Sequence, residues 1–334
     1  KRPRQGDDSD SSCASVHEDW LSFNEIQRRN VKRPRRAGNF YRRFKSFREL
    51  AYQYTPYEFK SHYRMTFKDF EVLRDILLPH MKQRDPRRNP VSAEMRISIA
   101  LRLLAGGASQ DIAGNHNIAQ QTVDACFKEV LKAINKAKEL AITFPTTDEE
   151  CTRAAERFKK KSKVGIPGVV GAVDGLLVKL TKVRKKDATN QKRHKSRKGY
   201  FAFNCQVVCD SDKIITFLSC VAPGGMNDSA AWRKTALYTL MESGRFPKGF
   251  TLVGDAAHKS MECLLAPFIN DGNYGHREDT YNYYLSSTRI VVECCFGEVV
   301  NRWRILNKAL PNRFAYVSLI MRACCKLHNY CVRR

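Results

Sequence analysis

The spacing of apolar residues divides the chain into three stretches. Residues 1–39 have no apolar periodicity: an acidic, Ser-rich piece (Asp7-Asp8-Ser9-Asp10-Ser11-Ser12) lies between the basic clusters Lys1-Arg2-Pro3-Arg4 and Lys32-Arg33-Pro34-Arg35-Arg36. Such a tail cannot bury enough surface to fold alone and is expected to be largely disordered. From residue 40 a helical period takes over. Aromatics are dense between Phe40 and Pro79, and core packing is the expectation for them over base stacking. Thr66 precedes Phe67 to Leu78 as an N-cap, and Pro79 helps to end that helix. Ser92 to Lys138 predicts three helices: one behind Ser92 that stops at Gly106-Gly107, a short one at Ser109–Ala113, and one from Ala119 to Ile134. Residues 40–150 are therefore expected to be all-helical, with a helix-turn-helix-like region over 92–138. Pro145 to Glu150 reads as a break and the start of another helix, which runs to the basic patch at Lys159–Lys163.

Beyond Pro167-Gly168 the period changes from 3.6 to 2. Val169–Leu180, Tyr200–Cys209 and Ile214–Val221 read as strands, the last two joined by a tight turn at Asp210-Ser211-Asp212. A helix over Ser229–Glu242 follows, then a short buried strand, Phe250–Gly254, that ends at Asp255. Helical patterns complete the chain at His258–Phe268, Leu285–Leu306 and Tyr316–Tyr330. A three-strand meander, a helix, a further strand and then helices is the order of the ribonuclease H-like fold. The expectation is an α/β (α+β) domain over 151–334, a mixed sheet flanked by helices, preceded by the helical domain.

Composition adds the class of partner. A net charge of +25 on 334 residues attracts polyanions, and 43% hydrophobic residues suffice for a core. Nucleic acid is favoured over a membrane, because no run of about 18 apolar residues and no secretory signal is present. The two basic clusters of the tail look like nuclear-import signals, although a phosphate-gripping tail fits them equally well. The twelve cysteines contain no C-x-x-C and read as reduced thiols rather than a disulfide framework or a zinc site.

The candidate chemistry is carried by carboxylates in apolar surroundings. Asp174 interrupts Gly168–Leu180, and Glu293 interrupts Ile290–Phe296. An ionised group there requires compensation by hydrogen bonds, an ion pair or a metal ion. Two-metal phosphoryl chemistry needs several hard oxygen ligands at one point. Asp174 on the first strand, Asp255 at the end of the fourth and Glu293 from a facing helix could supply them. Asp228, where Pro223-Gly224-Gly225 meets a helix, is either a fourth member or an N-cap, and Glu293 is either a ligand or the ion-pair partner of Arg289 one turn earlier. Glu298 lies about 140° further round the helix and is excluded from that face. Lys179–Lys198 holds ten Lys or Arg against one Asp, among them Lys182, Arg184, Lys185, Lys186, Lys192, Arg193, Lys195, Arg197 and Lys198. It reads as a clamp on the DNA backbone or as a solvated hairpin. Gln120, Gln121 and Thr122 open the last helix of the helix-turn-helix-like region, where base edges would be read.

These segments, in order, carry a family resemblance. Gly171-Ala172-Val173-Asp174-Gly175, Asn227-Asp228-Ser229, Val253-Gly254-Asp255-Ala256-Ala257, Ser287 through Gly297, Arg302-Trp303-Arg304-Ile305-Leu306 and Leu327-His328-Asn329 resemble the DDE transposases of the PIF/Harbinger superfamily. The resemblance covers about residue 60 to the end, and 37 residues separate Asp255 from Glu293, close to the family's spacing. It implies a nuclear DNA transposase and endonuclease, dependent on Mg²⁺ or Mn²⁺, two ions being expected. Metal ligation would fall on Asp174, Asp255 and Glu293, with Asp228 as a fourth acidic member. Implied partners are double-stranded DNA with terminal inverted repeats, a Myb-like DNA-binding protein and a second copy of the chain. The alternative is a domesticated, catalytically idle relative that binds DNA or acts as an adaptor. Three departures stand out: Leu176-Leu177 where the family commonly has Thr-His, His258 where Tyr is usual, and Glu298-Val299-Val300-Asn301 in place of a more basic run.

Overall fold

Val169 to Val173 are buried on both sides of the strand, the pattern of a strand at the centre of a covered sheet. In the computed structural model, which describes residues 47–84, 91–161, 166–181, 183, 190–258, 260–269, 275–310 and 314–334, this strand is β1 (Val169–Lys179). It pairs antiparallel with β2 (Ala202–Cys209), which pairs antiparallel with β3 (Ile215–Pro223). On its other edge β1 runs parallel to β4 (Thr251–Val253), and β4 runs parallel to β5 (Leu264–Leu265). The resulting order β3-β2-β1-β4-β5 is the mixed sheet expected of a ribonuclease H-like domain. The tail at 1–39, the aromatics Phe40, Tyr41 and Phe44, and the basic residues Lys182, Arg184, Lys185 and Lys186 lie outside the described residues.

Seven helices precede the sheet among the described residues: α1 (Phe47–Ala51), α2 (Pro56–Tyr63), α3 (Phe67–Leu77), α4 (Ala93–Leu104), α5 (Ser109–Asn115), α6 (Gln120–Lys136) and α7 (Asp148–Lys161). Thr66 and Ser92 cap α3 and α4 by accepting the backbone N–H groups of Asp69 and Met95. Phe47, Phe59, Tyr63 and Phe70 form the aromatic core expected of this region, whereas Tyr52 and Tyr57 are exposed. Hydrophobic contacts continue from Phe47 through α4 and α6 to the sheet, so the helical region shares its core with the rest of the chain.

After the sheet meander come α8 (Asp228–Trp232) and α9 (Ala236–Glu242), then α10 (His276–Arg302) and α11 (Phe314–Val332). One helix was expected over Ser229–Glu242. The chain instead restarts at Thr235, whose hydroxyl accepts the Tyr238 N–H as a new cap. The helix expected over His258–Phe268 does not form. His258 is drawn to Asp255, Ser260 and Ala266 are tied together, and Met261 and Leu264 exchange backbone hydrogen bonds, which leaves only β5 there. α10 begins nine residues before Leu285, and with 27 residues it is about 40 Å long.

Two residues of the Leu327-His328-Asn329 segment finish the edge of the sheet. Asn329 accepts the Ile215 N–H (2.8 Å) and donates to the Ile215 carbonyl (2.7 Å), so its side-chain amide takes the place of a neighbouring strand. His328 Nε2 lies 2.9 Å from the Lys213 carbonyl. Lys213 has φ 62°, and the preceding Asp210 carboxylate accepts the N–H groups of Asp212 and Ile214. The tight turn between β2 and β3 is thus fixed from both sides. The eleven cysteines among the described residues are free thiols, and no helix among those residues is long and apolar enough to cross a membrane.

Candidate carboxylate site

Strand register sets the first two carboxylates. Ala172 on β1 lies level with Val253 on β4, and continuing this parallel pairing by two residues brings Asp174 level with Asp255. Burial raises the Asp174 carboxyl to about pH 6. Asp255 and Asp228 push in the same direction, while the Gly175 N–H and Arg289 oppose it. Asp255 is held below the usual carboxylate range, chiefly by His258, whose Nδ1 lies 2.7 Å from its Oδ1. The His258 side chain is fully buried, edge-on to Trp232, and the Ala257 N–H adds a second bond to Asp255.

Asp228 joins them by another route. The cap of α8 is Asn227, whose side chain accepts the Ala230 N–H, so the N-cap alternative for Asp228 is overturned and its carboxylate is free for other contacts. It accepts from Asn204 Nδ2 (2.7 Å) and Gln206 Nε2 (3.2 Å) on β2 and lies directly over Gly175. Only glycine permits this approach, because a methyl group at 175 would stand 2.0 Å from Asp228 Oδ1.

α10 covers this end of β1. Its buried residues Leu285, Thr288, Val292, Cys295 and Val299 recur at helical spacing and turn Arg289 and Glu293 toward the rim. Arg289 Nη1 lies 3.5 Å from Asp174 Oδ2, and Nη2 donates to Glu293. Glu293 therefore stands in the ion pair that was its alternative reading, with its side chain 51% exposed. Glu298 points elsewhere and pairs with Lys213.

Asp174 thus feels the charges of Asp255 and Asp228, and Arg289 ties Glu293 to it. No three His, Cys, Asp or Glu side chains among the described residues already stand as a ligand cluster, because Asp228 is turned onto two amides and Glu293 onto Arg289. By chemistry the donors nevertheless fit a hard divalent cation: they are oxygens, and the carboxylates that add to burial in raising Asp174 carry charge that such an ion would offset.

Two further groups of sequence candidates lie within the described residues, and the Arg193 carbonyl accepts the Gly225 N–H three residues before Asp228. Gln120 and Gln121 are exposed on the first turn of α6 and Thr122 is half-buried there, after a turn with Asn117 at φ 51°. Lys192, Arg193, Lys195, Arg197 and Lys198 are exposed on the segment between β1 and β2. Sequence reasoning missed Asn204 and Gln206, although two amides at alternate positions of an otherwise apolar strand are a period-2 signal pointing to one face. It also treated Arg289 as a partner of Glu293 alone.

Residues 173–329 match the family described as DDE superfamily endonuclease. The chain is 29% identical over 262 residues to the Rattus norvegicus protein named "Putative nuclease HARBI1", covering 77% of this chain and 72% of that one. It is 27% identical over 262 residues to the Homo sapiens protein of the same name, with the same coverage. Over 298 residues it is 24% identical to the Arabidopsis thaliana "Protein ALP1-like", covering 82% of this chain and 70% of the relative. No solved structure matches.

Proposed function

We propose, from the premise that this chain carries a DDE superfamily endonuclease domain over residues 173–329, that it is a nuclear, metal-dependent DNA endonuclease of the PIF/Harbinger type, cutting and joining strands at transposon ends. The observation that carries this reading is the parallel register of β1 and β4, in which Ala172 pairs with Val253 and Asp174 and Asp255 each follow two residues later. Asp174, Asp255 and Glu293 would hold Mg²⁺ or Mn²⁺, with Asp228 completing the acidic set. Bound there, the metal supplies Lewis acidity toward phosphate oxygens and promotes deprotonation of water or a 3′-hydroxyl.

The chain's own residues prepare that site. His258 fixes the rotamer of Asp255, and Asn204 and Gln206 fix Asp228 above β1. Arg289 neutralises Asp174 and Glu293, and the exposed Glu293 must exchange this partner to reach a cation. The basic segment between β1 and β2 and the first turn of α6 would bind the DNA backbone and base edges. A Myb-like protein and a second copy of the chain are the partners this reading calls for.

The ion pair at Glu293 favours a second reading, a DNA-binding or adaptor protein that does not turn over. One experiment separates the two: the full chain is incubated with a duplex bearing terminal inverted repeats and Mg²⁺ or Mn²⁺, alone and with a Myb-like partner. Cutting that is lost in Asp174→Asn and Glu293→Gln is the expected result. No cutting by the wild type favours the idle protein, and cutting that survives both substitutions refutes the site.

A further inference from the structure

Four basic residues from separate parts of the chain surround the Gly106-Gly107 corner between α4 and α5. Arg64, the left-handed C-cap of α2, directs Nη2 toward the Ala105 carbonyl (3.5 Å). Lys308 Nζ donates to the Gly106 carbonyl (2.7 Å). Arg304 lies so close that a methyl group at 106 would stand 2.8 Å from its Cβ. The Arg102 carbonyl accepts the Gly107 N–H at the same corner.

Among the described residues none of the four forms an ion pair, whereas Arg74, Arg84, Arg96 and Arg289 all do. Arg64 is pulled below the usual guanidinium range by burial and then by Arg304 and Arg102, and its Nε is buried without a hydrogen-bond partner. His116 is pushed down to about 4 by burial and by Arg102. Arg64 and His116 therefore feel only positive charge. Backbone carbonyls hold the charged groups of Arg64 and Lys308 at the glycine corner, while Arg304 and Lys308 stay open to solvent. Converging guanidinium groups with unused donors match the tetrahedral oxygens of phosphate.

We propose that this corner is a second phosphate-binding site, which grips the DNA backbone away from the carboxylates. The ligand assignment rests on the nuclease reading above. Nine residues of α10 separate Glu293 from Arg302, about 14 Å along the helix, and Arg304 follows directly.

The test uses the full chain carrying Asp174→Asn, in EDTA so that nothing is cut, with a short DNA duplex titrated against salt. Adding Arg102→Met and Arg304→Met lowers the slope of log affinity against log salt by about 1.8, two phosphate contacts, while the Arg→Lys pair keeps it. The Met pair also raises Tm by about 2 °C or more by relieving like-charge repulsion. Tripolyphosphate raises the Tm of the parent chain and not that of the Met pair. An unchanged salt slope in the Met pair overturns the DNA assignment, even if tripolyphosphate still shifts the parent. Absence of any duplex binding counts against the nuclease reading instead. The tripolyphosphate arm then decides the site, and no shift in the parent overturns it.

Discussion

The Asp228 carboxylate lies over the α-carbon of Gly175, where a methyl group would come within 2.0 Å of Oδ1 and 3.0 Å of Gln206 Nε2. The first residue of α8 is thereby placed by a strand it does not belong to. Gly175→Ala forces Asp228 off its two amide donors while leaving the strand and its pairing intact. Since a displacement of about 1 Å in a catalytic group costs on the order of 100-fold, DNA cutting should fall by about that factor, with Tm nearly unchanged. Equal cutting rates in Gly175→Ala and wild type would show that Asp228 takes no part.

Asp174 makes stability depend on pH. Its native carboxyl keeps a proton up to about pH 6, against 3.8 for the ordinary group. Between these values the native state binds more protons than the unfolded chain, so stability falls as pH rises from about 4 to about 6 and is level above. The loss is at most on the order of 3 kcal/mol. Asp174→Asn removes it. In EDTA the variant should melt above wild type at pH 7.5, with the gap closing toward pH 4. A gap independent of pH would place the Asp174 carboxyl in water.

Arg289 answers two carboxylates at once, Asp174 and Glu293. Arg289→Gln keeps much of the length of the side chain and removes the charge, leaving Asp174 half-buried without its cation. Tm in EDTA should drop by several degrees, and Mn²⁺ should restore more of it than it adds to wild type, because the cation no longer competes with a guanidinium. Thermal melts with and without Mn²⁺ measure this. Identical Mn²⁺ shifts in the two proteins would show that Arg289 and metal do not share ligands.

His258 is a positioning residue for Asp255. Its ring is buried against Trp232, so Phe fills the same space without the Nδ1 bond. His258→Phe should lower Mn²⁺ affinity, read by calorimetry, by about 10–100-fold with little change in fold. Unaltered affinity would limit the histidine to packing.

Much of this was legible in the sequence, for identifiable reasons. The three long strands are apolar-rich runs of strand length bounded by turn residues, and Asp174 is conspicuous because a carboxylate in an apolar strand demands compensation. The segment 258–268 was not legible: Met261, Leu264, Leu265 and Phe268 have helical spacing, but side-chain hydrogen bonds of His258 with Asp255 and of Ser260 with Ala266 decide its course. Nor could the two-way reach of Arg289 be read, since an i, i+4 pair explains it locally while Asp174 is more than a hundred residues away. Asp228 shows the reverse, a cap by position whose capping role its neighbour Asn227 had already taken.

Asn329 illustrates a motif residue whose role is the sheet edge. Its amide closes both backbone groups of Ile215, and the residue is almost wholly buried, so water cannot replace it. Asn329→Ala leaves a buried N–H and C=O unsatisfied, a loss of about 2–4 kcal/mol. It should lower Tm by roughly 5 °C or more. Asn329→Asp can still accept from the Ile215 N–H but sets its second oxygen against the Ile215 carbonyl, so it should rescue nothing. Hydrogen exchange at Ile215 separates this from general loosening: protection there should collapse in both variants while the β1–β2 ladder keeps its own. If both regions lose protection together, Asn329 serves the core rather than the edge.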